Sequence, residues 1–174
     1  MDGFNEHHIP LAYLITFRCY GTWLHGDARG STDRYHNRYG TPLIQPSQRW
    51  LRHNARTLKH DSVELDAMQR AAVEMAIRET CAVRSWLLRA VNVRTNHIHT
   101  VVSAGCRPEP VLSAFKANAT RIMKEKACWT NEYSPWSEGG SMRYLWTELS
   151  IERAIEYVVD GQGGRCRILT ARLE

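Results

Sequence analysis

The sequence predicts an α+β protein in which four antiparallel strands form one sheet, two helices cover one of its faces, and an extra helix follows at the C-terminal end. Three observations lead there. Apolar patterning gives the order strand, long loop, helix, two strands, helix, strand, helix. The polar turn Arg94, Thr95, Asn96 between two apolar runs is short enough to make an antiparallel hairpin. Right-handed crossovers then carry the helices before and after the hairpin to the same face. The result is a ferredoxin-like α/β sandwich with the second hairpin strand in a central position. Residues 1–174 are expected to form a single domain, with an Arg- and aromatic-rich insertion loop over about 23–60.

Leu11 to Thr22, LAYLITFRCYGT, is rich in β-branched and aromatic residues and closes at Gly21, so it reads as the first strand. Trp23 to Arg56 shows no periodicity and carries three glycines and two prolines, so it reads as a loop. Its aromatics, Trp23, Tyr35, Tyr39 and Trp50, alternate with Arg29, Arg34, Arg38, Arg49 and Arg52, a composition suited both to packing an ordered excursion and to stacking on bases. Asp61 or Ser62 can cap a helix running to about Ser85, with Glu64 and Asp66 in its first turn. Its apolar stripe reads Val63, Leu65, Met68, Ala72, Val73, Met75, Ala76, Ile77, Val83.

Leu87 to Val93 is the approach strand of the hairpin, and His97 to Ser103 the return strand. Pro108 to Ala127 is a helix with proline in its first turn and Val111, Leu112, Phe115, Ala119, Ile122 and Met123 facing inward. Its other side offers Lys116, Arg121, Lys124 and Lys126 to water or to a nucleic-acid backbone. After a Gly- and Pro-bearing loop, Met142 to Thr147 reads as the fourth strand. Thr147 or Ser150 then caps a helix whose stripe is Ile151, Ala154, Ile155 and Val158. Gly161, Gly163 and Gly164 end it, and the tail from Arg165 is basic.

The 43% hydrophobic and 24% charged residues are those of a globular protein. A net charge of +5 and a pI near 9.1 favour a polyanionic partner, nucleic acid first. Five scattered cysteines without Cys-x-x-Cys argue against a disulfide framework. Met1 to Pro10 has neither the basic start nor the apolar core of a signal peptide, and no apolar run approaches the ~18 residues of a membrane span, so a cytoplasmic protein without membrane attachment is expected.

In the return strand, His97, His99 and Val101 share one face, while Ile98, Thr100 and Val102 share the other. The two imidazoles stand roughly 6–7 Å apart along the backbone, a spacing that suits one divalent ion. An isolated His-x-His in a strand is more often a surface or hydrogen-bonded pair. The apolar neighbours here imply half-burial, which is costly for two imidazoles without partners. Zinc normally asks for a further Cys or His nearby, and none is close in sequence. Val101 breaks the His-x-His-x-His pattern of histidine-triad hydrolases, and a His-x-Ser/Thr repeat is missing. What remains is Mg²⁺ or Mn²⁺ with an oxygen ligand from elsewhere, open to a phosphate. Tyr157, near the end of the last helix, by itself reads as a packing residue; beside a metal-binding pair its phenolate becomes a nucleophile for a phosphodiester.

NHIHTVV resembles the His-hydrophobic-His signature of the HUH endonuclease superfamily. With one tyrosine on a C-terminal helix, and with the stretches LAYLITFRCYGTWLHGDARGS and RYLWTELSIERAIEYVVDGQG, the chain resembles the single-tyrosine transposases of bacterial insertion sequences and their REP-associated relatives over nearly its whole length. The resemblance implies metal-dependent nicking and rejoining of single-stranded or hairpin DNA. His97 and His99 would bind Mg²⁺ or Mn²⁺, and Tyr157 would form a 5′-phosphotyrosine intermediate and free a 3′-hydroxyl. The family's third ligand, four residues after the tyrosine, falls on Gly161 here; Gln162 is the preferred substitute on chemical type and Asp160 the alternative on helical phase. Arg18 and Arg94 are expected near the scissile phosphate, and Arg34, Arg38, Lys116, Arg121 and Lys124 at DNA elsewhere. A homodimer or a monomer fits the resemblance. The competing expectation is a non-catalytic or domesticated nucleic-acid-binding protein on the same fold, although base-stacking modules of this shape carry aromatics where this chain carries histidines.

Overall fold

The structure is a computed structural model and describes residues 9–28 and 44–160. Four strands, β1 (Ala12–Arg18), β2 (Leu87–Val93), β3 (His97–Ser103) and β4 (Ser141–Leu145), form one antiparallel sheet in the order β2-β3-β1-β4. Four helices accompany them: α1 (Gln48–Arg56), α2 (Ala67–Val83), α3 (Pro108–Glu125) and α4 (Glu148–Val159). This is the ferredoxin-like sandwich the sequence predicts, with β1 and β3 central.

Alternation along the strands sorts the two faces. Ile15, Phe17, Ile98 and Val102 point into the main core with Val73, Ile77, Phe115 and Met123 from α2 and α3. Edge-on aromatic pairs, Phe17 with Trp136 at 5.2 Å and Trp86 with Phe115 at 6.1 Å, fill this layer. On the opposite face Ala12, Ala90, Val101 and Leu145 pack under Ile151, Ala154 and Val158 of α4. This second core occupies one end of the sheet, and His97, His99, Thr16 and Arg18 share its face at the other end.

Helix α2 starts later than the periodicity suggests. Its N-cap is Asp66, whose side chain accepts from Gln69 N while Gln69 Oε1 accepts from Asp66 N, so neither Asp61 nor Ser62 caps it and Glu64 and Asp66 precede its first turn. Residues 61–66 are pinned outside the helix because Val63 N donates to Tyr20 O and Leu65 N to Thr95 O. Val63 and Leu65 are buried as alternate residues of an extended segment, and Met68, Met75 and Val83, expected in the stripe, are exposed. At the last helix both candidate caps operate together: Thr147 is the N-cap and Ser150 completes the reciprocal pair at N3.

Helix α1 interrupts a segment expected to be loop. Ser47 caps it, and it is fastened at its ends, Ser47 N to Gly26 O and Asn54 Nδ2 to His25 O, with no residue buried. A helix with no buried stripe leaves no apolar period to read. Gly26, at φ +94°, makes the fastening possible, since a Cβ there would lie 2.4 Å from Ser47 O.

Candidate active site

Register brings the polar residues of three strands to one place. His97 lies opposite Arg18 on β1, and His99 lies between Thr16 on β1 and Asn92 on β2. On the other side of β1, Leu14 pairs with Arg143 and Thr16 with Ser141. Helix α4 covers the apolar end of this face, and its own side chains Leu149, Ser150, Arg153 and Tyr157 wall the remainder. The result is a cleft of about 750 Å³ with the imidazoles on its floor.

The three rings anticipated from sequence converge here. His97 and His99 have ring centroids 4.7 Å apart, and the Tyr157 ring sits 5.5 Å from that of His99, edge to face. Tyr157 is 45% exposed, so its phenol faces open space, whereas His99 is buried. What holds the tyrosine there is Asn92, a buried polar residue flanked by Val91 and Val93. Its side-chain amide donates to the carbonyl of Val158 at 2.9 Å, satisfying one of the backbone acceptors left over at the end of α4. Asn92→Ala is expected to cost about 1–3 kcal/mol by orphaning that carbonyl, lowering the thermal midpoint by roughly 3–10 °C at ~2–4 °C per kcal/mol. Differential scanning calorimetry checks it, and an unchanged midpoint would deny the anchor.

Both Nδ1 atoms are hydrogen-bonded to polar side chains. Asn96 Oδ1 can only accept, so at 2.6 Å it takes the Nδ1 hydrogen of His97 and leaves Nε2 with its lone pair. The Thr16 hydroxyl lies 2.7 Å from His99 Nδ1 and can accept from it, with the same consequence. Burial, then the neighbouring His97, Arg18 and Arg94, push the His99 imidazole down to about 4, which keeps it neutral near pH 7. Two imidazoles whose Nδ1 atoms are engaged by polar partners, leaving Nε2 available, fit a divalent ion. Among the described residues no three His, Cys, Asp or Glu side chains cluster to hold one, so Asp160 does not join the pair, and Gln162 lies outside the described residues.

The remaining expected DNA contacts divide. Arg18 lines the cleft with its guanidinium carbon 3.3 Å over the Trp23 ring, and Arg94 is close enough to His99 to act on its charge. Lys116, Arg121 and Lys124 belong to α3, under the opposite face of the sheet. There Lys116 Nζ donates to Ser137 O and Gly139 O, holding the loop before β4, and Arg121 pairs with Glu79 and Glu125. Arg34 and Arg38 lie outside the described residues. Arg143, Arg153 and Thr16, which the sequence did not single out, line the cleft together with Trp23, one of the aromatics expected to stack on bases. The parity of β1, which puts residues 14, 16 and 18 on one face, was the available signal for Thr16; Asn92 was signalled by its apolar surroundings.

No family model matches the sequence, and no curated protein matches it. Among solved structures, a REP-associated tyrosine transposase bound to a REP hairpin is similar over 91% of this chain and 70% of that one, at 12% identity and a TM-score of 0.50. A candidate transposase from Deinococcus radiodurans R1 is similar over 91% of this chain and 95% of that one, at 11% identity and a TM-score of 0.48. At 12% identity the first likeness is one of fold. No helix among the described residues is long and apolar enough to cross a membrane.

Proposed function

We propose that this chain nicks and rejoins single-stranded DNA, hairpin-bearing DNA in particular, by transesterification through Tyr157. The supporting observation is the meeting of three rings: Tyr157 packs edge-to-face on His99, which packs on His97, in an arginine-lined cleft. The fold shared with a tyrosine transposase is compatible with this reading. The phenolate oxygen of Tyr157 attacks the scissile phosphorus, the bond from phosphorus to the 3′ oxygen breaks, and that oxygen leaves as a 3′-hydroxyl. One phosphodiester is exchanged for another, so a 3′-hydroxyl can reverse the step without nucleotide hydrolysis.

His97 and His99 would hold Mg²⁺ or Mn²⁺ through Nε2, with Gln162 as third ligand, and the bound ion would supply charge neutralisation and polarisation at the scissile phosphate. Asn96 and Thr16 fix the two ring orientations. Arg18, steadied on Trp23, and Arg143 offer guanidinium charge to the phosphate oxygens. Asn96→Ala, which releases His97 Nδ1, is expected to weaken Mn²⁺ binding by about 10–100-fold, measured by isothermal titration calorimetry; wild-type affinity in that variant would remove Asn96 from the site.

Incubating the protein with labelled single-stranded hairpin oligonucleotides and Mg²⁺ or Mn²⁺, then running denaturing gels, tests the reaction. A covalent protein–DNA band that chelator prevents is expected. Binding without any covalent band would leave the non-catalytic nucleic-acid-binding reading in its place.

A further inference from the structure

Tyr144 and Trp146 stand out among the large side chains because they are 43% and 52% exposed and stack on each other, with centroids 6.0 Å apart and planes 13° from parallel. Tyr144 is held from behind by the edge of Tyr13 at 5.3 Å, and the Tyr13 hydroxyl is itself bonded to Cys106 O. The pair is therefore a braced flat surface rather than two loose rings. Tyr144 lies on β4, which among the described residues is an edge strand beside β1, and Trp146 follows its last residue.

Position ties this surface to the cleft. Alternation along β4 sends Arg143 and Leu145 to the α4 face and Tyr144 to the other. Directly after Leu145 the chain rounds the sheet edge through Trp146 into Thr147, Leu149 and Ser150, all of which line the cleft. The two rings thus stand at the sheet edge, between the cleft-lining Arg143 and Thr147 in the chain but outside the cleft wall itself. From Glu148, two residues past Trp146, to Tyr157 the helix rises about 14 Å, which stacked nucleotides at ~3.4 Å each would cover in about four.

We propose that Tyr144 and Trp146 are a stacking platform for unpaired bases of the DNA strand flanking the cleavage point. The inference rests on the function proposed above for the cleft. A polynucleotide needs cations for its backbone and flat π-faces for its bases, and this edge of the sheet supplies both: Arg143 and Arg153 in the cleft and two near-parallel exposed rings beside it, on a chain of net charge +5. Aromatic stacking accepts any base, so the platform adds affinity for unpaired flanks without reading their sequence.

The test uses hairpin oligonucleotides with single-stranded flanks carrying 2-aminopurine at successive positions on either side. The full chain is expected to quench the probe a few nucleotides from the hairpin. Trp146→Ala should abolish the quench and weaken binding of flanked DNA about tenfold, the equivalent of roughly 1.4 kcal/mol. It should leave binding of flankless hairpins and the rate of covalent adduct formation at saturating DNA within about twofold. Trp146→Phe should restore the quench, and because Trp146 is exposed its thermal midpoint should be unmoved; Tyr144→Leu should repeat the Trp146→Ala result. Undiminished quench and affinity in Trp146→Ala would overturn the platform. So would unchanged affinity accompanied by a shift from dimer to monomer in sedimentation, which would assign the edge to a second copy of the chain. If the wild type forms no adduct yet shows the Trp146-dependent quench, the cutting reaction fails and the platform stands.

Discussion

Tyr157→Phe is expected to abolish covalent adduct formation, a loss of at least about a thousandfold in cleavage rate, while DNA binding and thermal stability stay close to wild type. The substitution removes one oxygen and keeps the ring, so the edge-to-face contact with His99 at 5.5 Å is preserved. The phenol is 45% exposed, and no hydrogen bond that folding needs is lost with it at the surface. A gel-shift assay paired with denaturing electrophoresis separates the two readouts. If the Phe variant cuts as well as the parent, the nucleophile is another residue; Tyr144 and Tyr133 are the next to replace.

His99→Ala and His97→Ala are expected to remove metal-dependent cleavage, each by about a hundredfold or more, and to differ in what else they disturb. His99 is buried, bonded to Thr16 and packed under Tyr157, so its truncation leaves a cavity, an unpaired hydroxyl and a less constrained tyrosine, and should cost a further 1–3 kcal/mol of stability by analogy with other buried polar deletions. His97 is half-buried, bonded to Asn96 and edge-on to His99, so its loss should cost less stability than that of the buried His99. A readout independent of activity is thermal unfolding with and without Mn²⁺. A ligand that binds the native state raises the midpoint. Both variants should lose that increment, and its retention in either would place the ion elsewhere.

Much of the scaffold was legible because it is written in local periods. The alternation of HIHTVVS named the face on which the histidines stand, the short Arg94–Asn96 turn forced the hairpin, and the stripe of Val111, Leu112, Phe115, Ala119, Ile122 and Met123 gave the inward side of α3. Where reading failed, a local rule met a stronger partner. Asp61, Ser62 and Asp66 are all competent caps, and the choice fell to Asp66 because residues before it are bonded to Tyr20 and Thr95, far away in sequence. Lys116 looked like a free cation on a helix surface, yet two loop carbonyls claim its ammonium. Helix α1 buries nothing and so left no stripe to detect.

The sequence by itself determined the elements, the common face of His97 and His99, and the presence of Tyr157 on an amphipathic last helix, since helix and strand periods, caps and turns act over a few residues. Only the tertiary structure decided that Arg18 and Thr16 flank the histidines, that Asn92 fastens the end of α4, and that Arg143 and Arg153 share the cleft. Those neighbours lie tens of residues apart in the chain, and they meet because strand register and the burial of α4 on the sheet select one alignment that no short stretch encodes.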